Sequence, residues 1–181
     1  MPRITQVSDE TATPRAAELL ADTRRQLGRT PNLYRTLVNS PAALRGYLDF
    51  REALTKGVLP PATREKLALL VAQRNDCDYC IAAHNARGKA LGLTAEELQR
   101  VRRADDADPH TAALLTLAAH IVDRRGAVDD ADVEAARAAG VTDEEIAETV
   151  AHVALNTYSN MVNHLAEPDL DFPVAEPLSR E

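Results

Sequence analysis

The chain has 181 residues, of which 45% are hydrophobic and only 3% aromatic, and its formal net charge is −7 at pH 7. This length predicts one domain around one core, and a negative chain without clusters of lysine and arginine excludes a nucleic-acid-binding surface. No segment approaches the roughly 18 consecutive apolar residues of a membrane helix. The first residues contain no apolar run of the kind found in signal peptides, so none is predicted.

Helix-start signals recur along the chain after an irregular segment over residues 1–12. A proline opens an apolar-periodic segment at Pro14, Pro41, Pro61 and, after Asp108, Pro109. Proline is tolerated at the first position of a helix because its missing N–H would be unpaired there. A long final helix is predicted from about Asp143 to Ala166. Alanine is abundant and β-branched runs are few, so no strand is predicted and the fold class is all-α.

Two segments of the chain are similar to each other. KALGLTAEEL (89–98) and RAAGVTDEEI (137–146) align without gaps, 48 residues apart, and each joins a glycine to a Thr-x-x-Glu capping box. The alignment predicts an internal repeat of a helix pair. Two ordinary helix turns that share good capping residues remain an equal alternative. The second copy has no cysteine or histidine at the positions that carry chemistry in the first.

Those positions are Cys77, Cys80 and His84, and the two cysteines are the only ones in the chain. On a helix of about 100° per residue they share one face. If one continuous helix joined them, Glu65 would lie about 18 Å from Cys77 along the helix axis and could not contact it. Residues 74–76 offer a break, with Asn75 or Asp76 capping a new helix, so we predict a bend just before Cys77 that folds this helix back.

A C-x-x-C pair at the first turn of a helix, with a histidine one turn later, is typical of thiol redox chemistry. The helix dipole favours Cys77 as the more acidic thiol, whereas His84 lies within reach of Cys80. We favour Cys80 as the nucleophile, assisted by His84 and oriented by Glu65, with Cys77 resolving the sulfenic acid into a disulfide. A surface role for Glu65 and a packing role for His84 are the simpler alternatives. Two cysteines and one histidine fall one ligand short of a structural zinc site, so no metal or cofactor is predicted.

The pattern E-x11-C-x2-C-x3-H resembles the alkyl hydroperoxidase D group of the carboxymuconolactone decarboxylase superfamily, particularly its peroxidase-related branch. Residues 60–98 carry the match, and similarity extends to RTPNLYRTLVNSPAALRGYLDF and NTYSNMVNHLAEPDLDFP, so the resemblance covers residues 1–181 as a single alkyl hydroperoxidase D-like domain. It implies an all-α fold, assembly into trimers or hexamers, and a hydroperoxidase. In that enzyme Cys80 is peroxidatic, Cys77 is resolving, and Glu65 and His84 form a proton relay.

The resemblance also implies a small hydroperoxide substrate and a dithiol reductant, which in the best-known members is a lipoylated protein. Decarboxylase members are expected to lack the C-x-x-C pair, so lactone decarboxylation is not expected here. Two cysteines so close together cannot staple a secreted fold, which favours a cytoplasmic location. A non-catalytic redox sensor, whose disulfide controls partner binding, is the alternative, and a scaffold with unreactive thiols is a third interpretation.

Three further features complete the prediction. The family pattern often has a histidine between the cysteines, and this chain has Tyr79 there. Tyr79 could donate a hydroxyl hydrogen bond in place of the histidine, but we favour a role in packing or in lining the pocket. The last helix carries a polar stripe. These side chains could reach the cysteine site and bind substrate or water, but we favour a seam between helices in which their hydrogen bonds are satisfied. The stripe comprises His152, Asn156, Asn160 and His164, with Asn163 beside it.

The tail over residues 167–181 contains three prolines and cannot be helical for long. Its apolar residues are Leu170, Phe172, Pro173 and Val174. They are numerous for a solvated terminus, so we expect them to pack on the chain's own body or, preferably, on a neighbouring subunit.

Overall fold

The computed structural model describes residues 1–178, which form nine helices and no strand. The helices are α1 Pro14–Leu27, α2 Asn32–Leu37, α3 Pro41–Leu54, α4 Pro61–Arg74, α5 Asp78–Ala90, α6 Ala95–Val101, α7 Pro109–Asp123, α8 Asp130–Ala138 and α9 Asp143–Ala166. The all-α prediction is confirmed, and each predicted proline start is the first residue of a helix. The short α2, which begins after Pro31 without a side-chain cap, was not predicted.

Helix α4 lies at the centre of the fold and contacts α5, α6, α7 and α9. Its residues 67–72 are all at most 4% exposed. A helix buried on every side is a core element rather than an amphipathic surface helix. Glu65, one turn from its start, is therefore carried by the most enclosed segment of the protein.

The internal repeat extends over three helices rather than two. At a separation of 48 residues, α4 and α7 begin at Pro61 and Pro109, α5 and α8 end at Ala90 and Ala138, and α6 and α9 begin at Ala95 and Asp143. Both junctions have a left-handed glycine, with φ of 92° and 87°, followed by a complete capping box. Agreement over three helices favours a repeat over a chance similarity of two turns.

The chain bends between α4 and α5, as the sequence predicts. The N–H of Cys77 donates to the carbonyl of Ala72 (2.9 Å) and that of Asp76 to Gln73 (3.2 Å), the bond pattern of a Schellman motif. Asp76 takes the left-handed conformation, with φ of 51°. The predicted capping residue was wrong: the N-cap of α5 is Cys77, because Asp76 is used to turn the chain and Asn75 ends α4.

Both irregular ends lie against the helical body. The N–H of Arg3 donates to the carbonyl of Ala166 (2.7 Å), and that of Val7 to Arg35 (3.0 Å). In the tail, the Arg102 guanidinium donates to the carbonyl of Glu176 (2.7 Å). Across residues 1–178, no helix combines the length and apolar character that crossing a membrane would require.

Candidate active site

Cys77 and Cys80 are joined by a disulfide bond at the start of α5. Their Cα atoms are 5.3 Å apart, and the residues are only 2% and 3% exposed. Cys77 is the N-cap and Cys80 lies in the first turn, where unpaired backbone N–H groups and the helix dipole favour negative charge. In the reduced protein this position stabilises thiolates relative to thiols.

The bend brings Glu65 of α4 against His84 of α5. Glu65 Oε2 and His84 Nδ1 are 2.7 Å apart, and the two side chains are 21% and 10% exposed. Burial alone would raise the pKa of Glu65, but the positive charges of His84, Arg87 and Arg51 hold it below its usual value. An ionised Glu65 accepts the Nδ1 proton in either state of the imidazole, and in the neutral state the lone pair is on Nε2, which can act as a base there.

Asn163 of α9 contacts the disulfide directly. Its Nδ2 amide donates to Sγ of Cys80 at 3.1 Å, and the residue is 5% exposed. Among the described residues, its Oδ1 atom has no hydrogen-bond partner. The sequence placed Asn163 beside the polar stripe without assigning it to the site, since its contact partner is 83 positions away in the chain.

The polar stripe of α9 reaches the bend and the cysteines. Asn75 joins it through two bonds: its Nδ2 donates to Oδ1 of Asn160 (2.9 Å), and its carbonyl lies 2.7 Å from Nε2 of His164. Within residues 1–178 the buried atoms Nε2 of His152 and Nδ2 of Asn160 have no partner, and whether the stripe is a seam between helices or binds substrate or water stays a prediction. Burial, followed by the charge of Arg64, lowers the pKa of His152 and favours its neutral form.

Tyr79 is held by the carboxyl-terminal tail. Its hydroxyl donates to Oδ1 of Asp171 (2.6 Å) and accepts from the N–H of Leu33 (3.2 Å). Its ring packs edge-on against Phe172, with centroids 5.6 Å apart. Burial and the bond to Asp171 raise the pKa of Tyr79, so the hydroxyl stays protonated. Arg29 pairs with Asp171 and lies 4.5 Å above the Phe172 ring, which fixes the tail over the motif.

The apolar residues of the tail divide into two groups. Phe172 packs on the body of its own chain through Tyr79, whereas Leu170 and Val174 are 43% and 81% exposed. Residues 179–181 lie outside the part of the tail that the structure describes. Contact between Leu170 or Val174 and a neighbouring subunit stays a prediction.

Three cavities lie at or next to the motif residues. The largest of the three, about 420 Å³, is lined by Glu65 of α4, His84 of α5, and His152 and Asn156 of α9, which the fold brings together from distant parts of the sequence. A gap of about 20 Å³ beside Cys80 is separated from it by side chains that line both spaces, among them His84. A third cavity of about 290 Å³ reaches Cys77 from the other side.

No metal centre is formed within residues 1–178, where no group of three or more His, Cys, Asp or Glu side chains is arranged to hold an ion. The sulfur atoms are bonded to each other rather than free for ligation.

The comparisons with known proteins agree with the resemblance expected from the motif. The model of the carboxymuconolactone decarboxylase family matches residues 41–112. A curated Mycobacterium tuberculosis protein named alkyl hydroperoxide reductase is 34% identical over 79 residues, which are 43% of this chain. The match spans only 23% of that relative's length.

Two solved structures show the fold. A peroxidase-related protein from Ralstonia eutropha JMP134, described as having an alkylhydroperoxidase AhpD core, superposes with a TM-score of 0.83 at 23% identity, over 94% of this chain and 92% of its own. The debrominase Bmp8, solved in complex with 2,3,4-tribromopyrrole, gives 0.79 at 14% identity, over 93% of this chain and 91% of its own. The predicted resemblance and fold are confirmed, and the same fold serves different reactions.

Replacing Tyr79 by phenylalanine tests how much the tail contact stabilises the site. Tyr79→Phe keeps the ring but leaves the Leu33 N–H and Oδ1 of Asp171 without the hydroxyl that they bond, so we expect a loss of about 1–3 kcal/mol in the free energy of unfolding. Urea denaturation measures the loss, and hydrogen exchange should quicken at residues 169–172. Tyr158→Phe, at an exposed tyrosine whose hydroxyl has no partner among the described residues, should change neither quantity.

The Glu65–His84 pair predicts a pH dependence of stability. The pKa of Glu65 is lower in the folded protein than in the unfolded chain, where glutamate has a pKa of about 4.3. Its ionisation therefore stabilises the fold fully at a pH above the unfolded-state pKa, and this contribution is lost as the pH falls through the folded-state pKa. Glu65→Gln should therefore be less stable than the wild type near neutral pH, with the difference shrinking below about pH 4. Urea denaturation between pH 3 and pH 7 measures it. A difference independent of pH would contradict the prediction, and Glu96→Gln, at an exposed carboxylate of α6, is the control.

Proposed function

We propose that this chain, a member of the carboxymuconolactone decarboxylase superfamily with an alkyl hydroperoxidase D-like fold, is a thiol-dependent hydroperoxide reductase. The observation that carries the proposal is the disulfide-forming C-x-x-C pair at the start of α5, beside the hydrogen-bonded Glu65 and His84. A relative named alkyl hydroperoxide reductase supports the same reaction class. Because the match spans only 23% of that relative, we do not assign the complete activity of the relative to this chain.

In the first step, the Cys80 thiolate attacks the terminal oxygen of the hydroperoxide and the O–O bond breaks. Sulfur gains oxygen as sulfenic acid, the hydroperoxide is reduced to an alcohol, and the departing alkoxide needs a proton. His84 takes the thiol proton at Nε2 and returns it to the alkoxide, while Glu65 stabilises the imidazolium. The depressed pKa of Glu65 supports this role, since the carboxylate stays ionised throughout.

In the second step, the thiolate of Cys77 attacks the sulfur of the Cys80 sulfenic acid. A disulfide forms, and the sulfenic hydroxide leaves as water after taking up the proton that Cys77 released, which gives the covalent state described above. A dithiol donor then reduces the disulfide by thiol–disulfide exchange and is itself oxidised to a disulfide. The cavity of about 290 Å³ at Cys77 shares no lining residue with the cavity that contains Glu65, which gives this donor its own approach.

Asn163 is the additional residue that we assign to the nucleophile. Its Nδ2 amide donates to Sγ of Cys80 in the disulfide form, and in the reduced form the same N–H group stabilises a thiolate. A hydrogen bond to an ionised group is roughly twice as strong as one between neutral groups. This amide therefore favours Cys80 over Cys77 as attacking sulfur, in agreement with the position of His84.

The remaining features of the proposal concern the setting of the reaction. A dithiol reductant, such as a lipoylated protein, restores the thiols in a reducing compartment, which favours the cytoplasm. Leu170 and Val174, exposed on the single chain, are candidates for burial in a trimer or hexamer. Tyr79, His152, Asn156 and Asn160 shape the site rather than form or break bonds.

Turnover separates an enzyme from a redox sensor. With cumene hydroperoxide and dihydrolipoamide, the wild type should consume many equivalents of peroxide per chain. Cys80→Ser should abolish consumption because it removes the attacking sulfur, with an unchanged helical circular dichroism spectrum. Cys77→Ser should form a sulfenic acid, trapped by dimedone, without a disulfide. Consumption of a single equivalent by the wild type would instead indicate the sensor.

Thiol titration tests the assigned partners of Cys80. In a Cys77→Ser background Cys80 is the only cysteine, so absorbance at 240 nm follows its ionisation. Asn163→Ala and His84→Ala should each raise the pKa of the Cys80 thiol, because each removes a group that favours thiolate. Met161→Ala, at an exposed side chain of the same helix, is the control. An unchanged pKa in both variants would exclude these residues as partners of the nucleophile.

A further inference from the structure

Three arginines line the cavity of about 420 Å³ without a carboxylate at ion-pair distance among the described residues. Arg51, Arg64 and Arg87 are partly buried and contribute to its wall, yet none forms an ion pair within 4.0 Å among the described residues. Arginines elsewhere, such as Arg24 and Arg137, pair with aspartates. Arg51 and Arg87 act on Glu65 through their charge, and three guanidinium groups against this single carboxylate leave a net positive charge that favours an anion in the cavity.

The cavity offers only one negative side chain against these three positive ones. Glu65 is that side chain, and its carboxylate is already bonded to His84. Arg64 is fixed by donating through Nη1 to the carbonyl of Thr55 (3.0 Å), which leaves its other N–H groups for a ligand. His152 adds an independent sign of a missing partner, because it is 5% exposed and its Nε2 atom is unbonded within residues 1–178.

The remaining wall of this cavity is apolar, and one part of it adjoins the gap beside Cys80. Leu54, Ala68 and Leu155 contribute hydrocarbon surface to the cavity. The cavity adjoins the gap beside Cys80, because Tyr47, His84 and Arg87 line both spaces. Arg51 follows Tyr47 by four residues on α3, one turn or about 6 Å farther along the helix axis. Arg51 and Arg64 line only the large cavity, so these two cations lie away from the end that His84 and Arg87 share with the Cys80 gap.

We propose that this cavity binds an organic hydroperoxide that carries a carboxylate. The carboxylate lies against Arg51 and Arg64, the hydrocarbon body packs on Leu54 and Leu155, and the hydroperoxide group points to His84 and the Cys80 gap. A volume of about 420 Å³ lies within the range of small-molecule sites. The inference rests on the proposed function, since it names the substrate class of the same site.

A matched pair of product alcohols tests the binding without requiring turnover. The probes are 2-phenylpropan-2-ol and its para-carboxylate, titrated calorimetrically into the oxidised protein. The carboxylated alcohol should bind at least about tenfold more tightly than the neutral one, and Arg51→Gln should remove most of that preference. Arg51→Lys should keep part of it, because the charge remains. Arg45→Gln, on the same helix but paired with Asp22 and Asp49, should leave it unchanged.

The kinetic counterpart uses cumene hydroperoxide and its para-carboxylate. Arg51→Gln should lower the ratio of kcat/KM for the carboxylated peroxide to kcat/KM for the neutral peroxide about tenfold, because an effect through Glu65 changes both peroxides alike and cancels in this ratio. Equal binding of the two alcohols, or a preference that survives Arg51→Gln in a correctly folded protein, would overturn the inference. Selective binding of the anion without turnover of either peroxide would instead reject the hydroperoxidase proposal and retain the anion site.

Discussion

The turn between α4 and α5 is the constraint on which the site depends. Two backbone hydrogen bonds close it, from Cys77 and Asp76 to the last turn of α4, and Asp76 accepts a left-handed conformation that costs about 1 kcal/mol or more in a residue other than glycine. A continuous helix would hold Glu65 far from His84. The fold instead places both on one cavity wall, with the cysteines at a fresh helix start.

Hydrogen bonds to α9 stabilise the turn, and this helix also carries buried polar atoms that have no hydrogen-bond partner among the described residues. Asn75 is bonded through both its side chain and its carbonyl to this helix, and Asn163 is bonded to Cys80. A buried polar atom without a partner costs about 1–3 kcal/mol, so a packing surface alone would favour apolar residues. The unpartnered atoms of His152, Asn160 and Asn163 are concentrated around the cysteines and the large cavity. Their retention there is consistent with groups that meet substrate, product or water during a reaction.

Local signals predicted most of the fold and the centre of the site. Prolines at helix starts, the two capping boxes and the break near Asn75 depend on neighbouring residues, so they are visible in the sequence. The C-x-x-C-x3-H spacing likewise indicated which side chains share a face. The contacts of Asp171 with Tyr79 and of Asn163 with Cys80 join positions far apart in the chain, and only packing decides them. The arginine-lined cavity was missed for the same reason, since α3, α4 and α5 each contribute one guanidinium.

The repeat explains why a site of this kind is asymmetric. In the first copy the short α6 ends at Val101, which corresponds to Thr149 in the second, but there the helix continues to Ala166. The whole polar stripe, from His152 to His164, lies in this extension. The second copy has none of the cysteine chemistry, yet its lengthened helix crosses the first copy and supplies Asn163 to the sulfur and His152 to the cavity. The first copy therefore holds the reactive groups, and the extension of the second determines their surroundings.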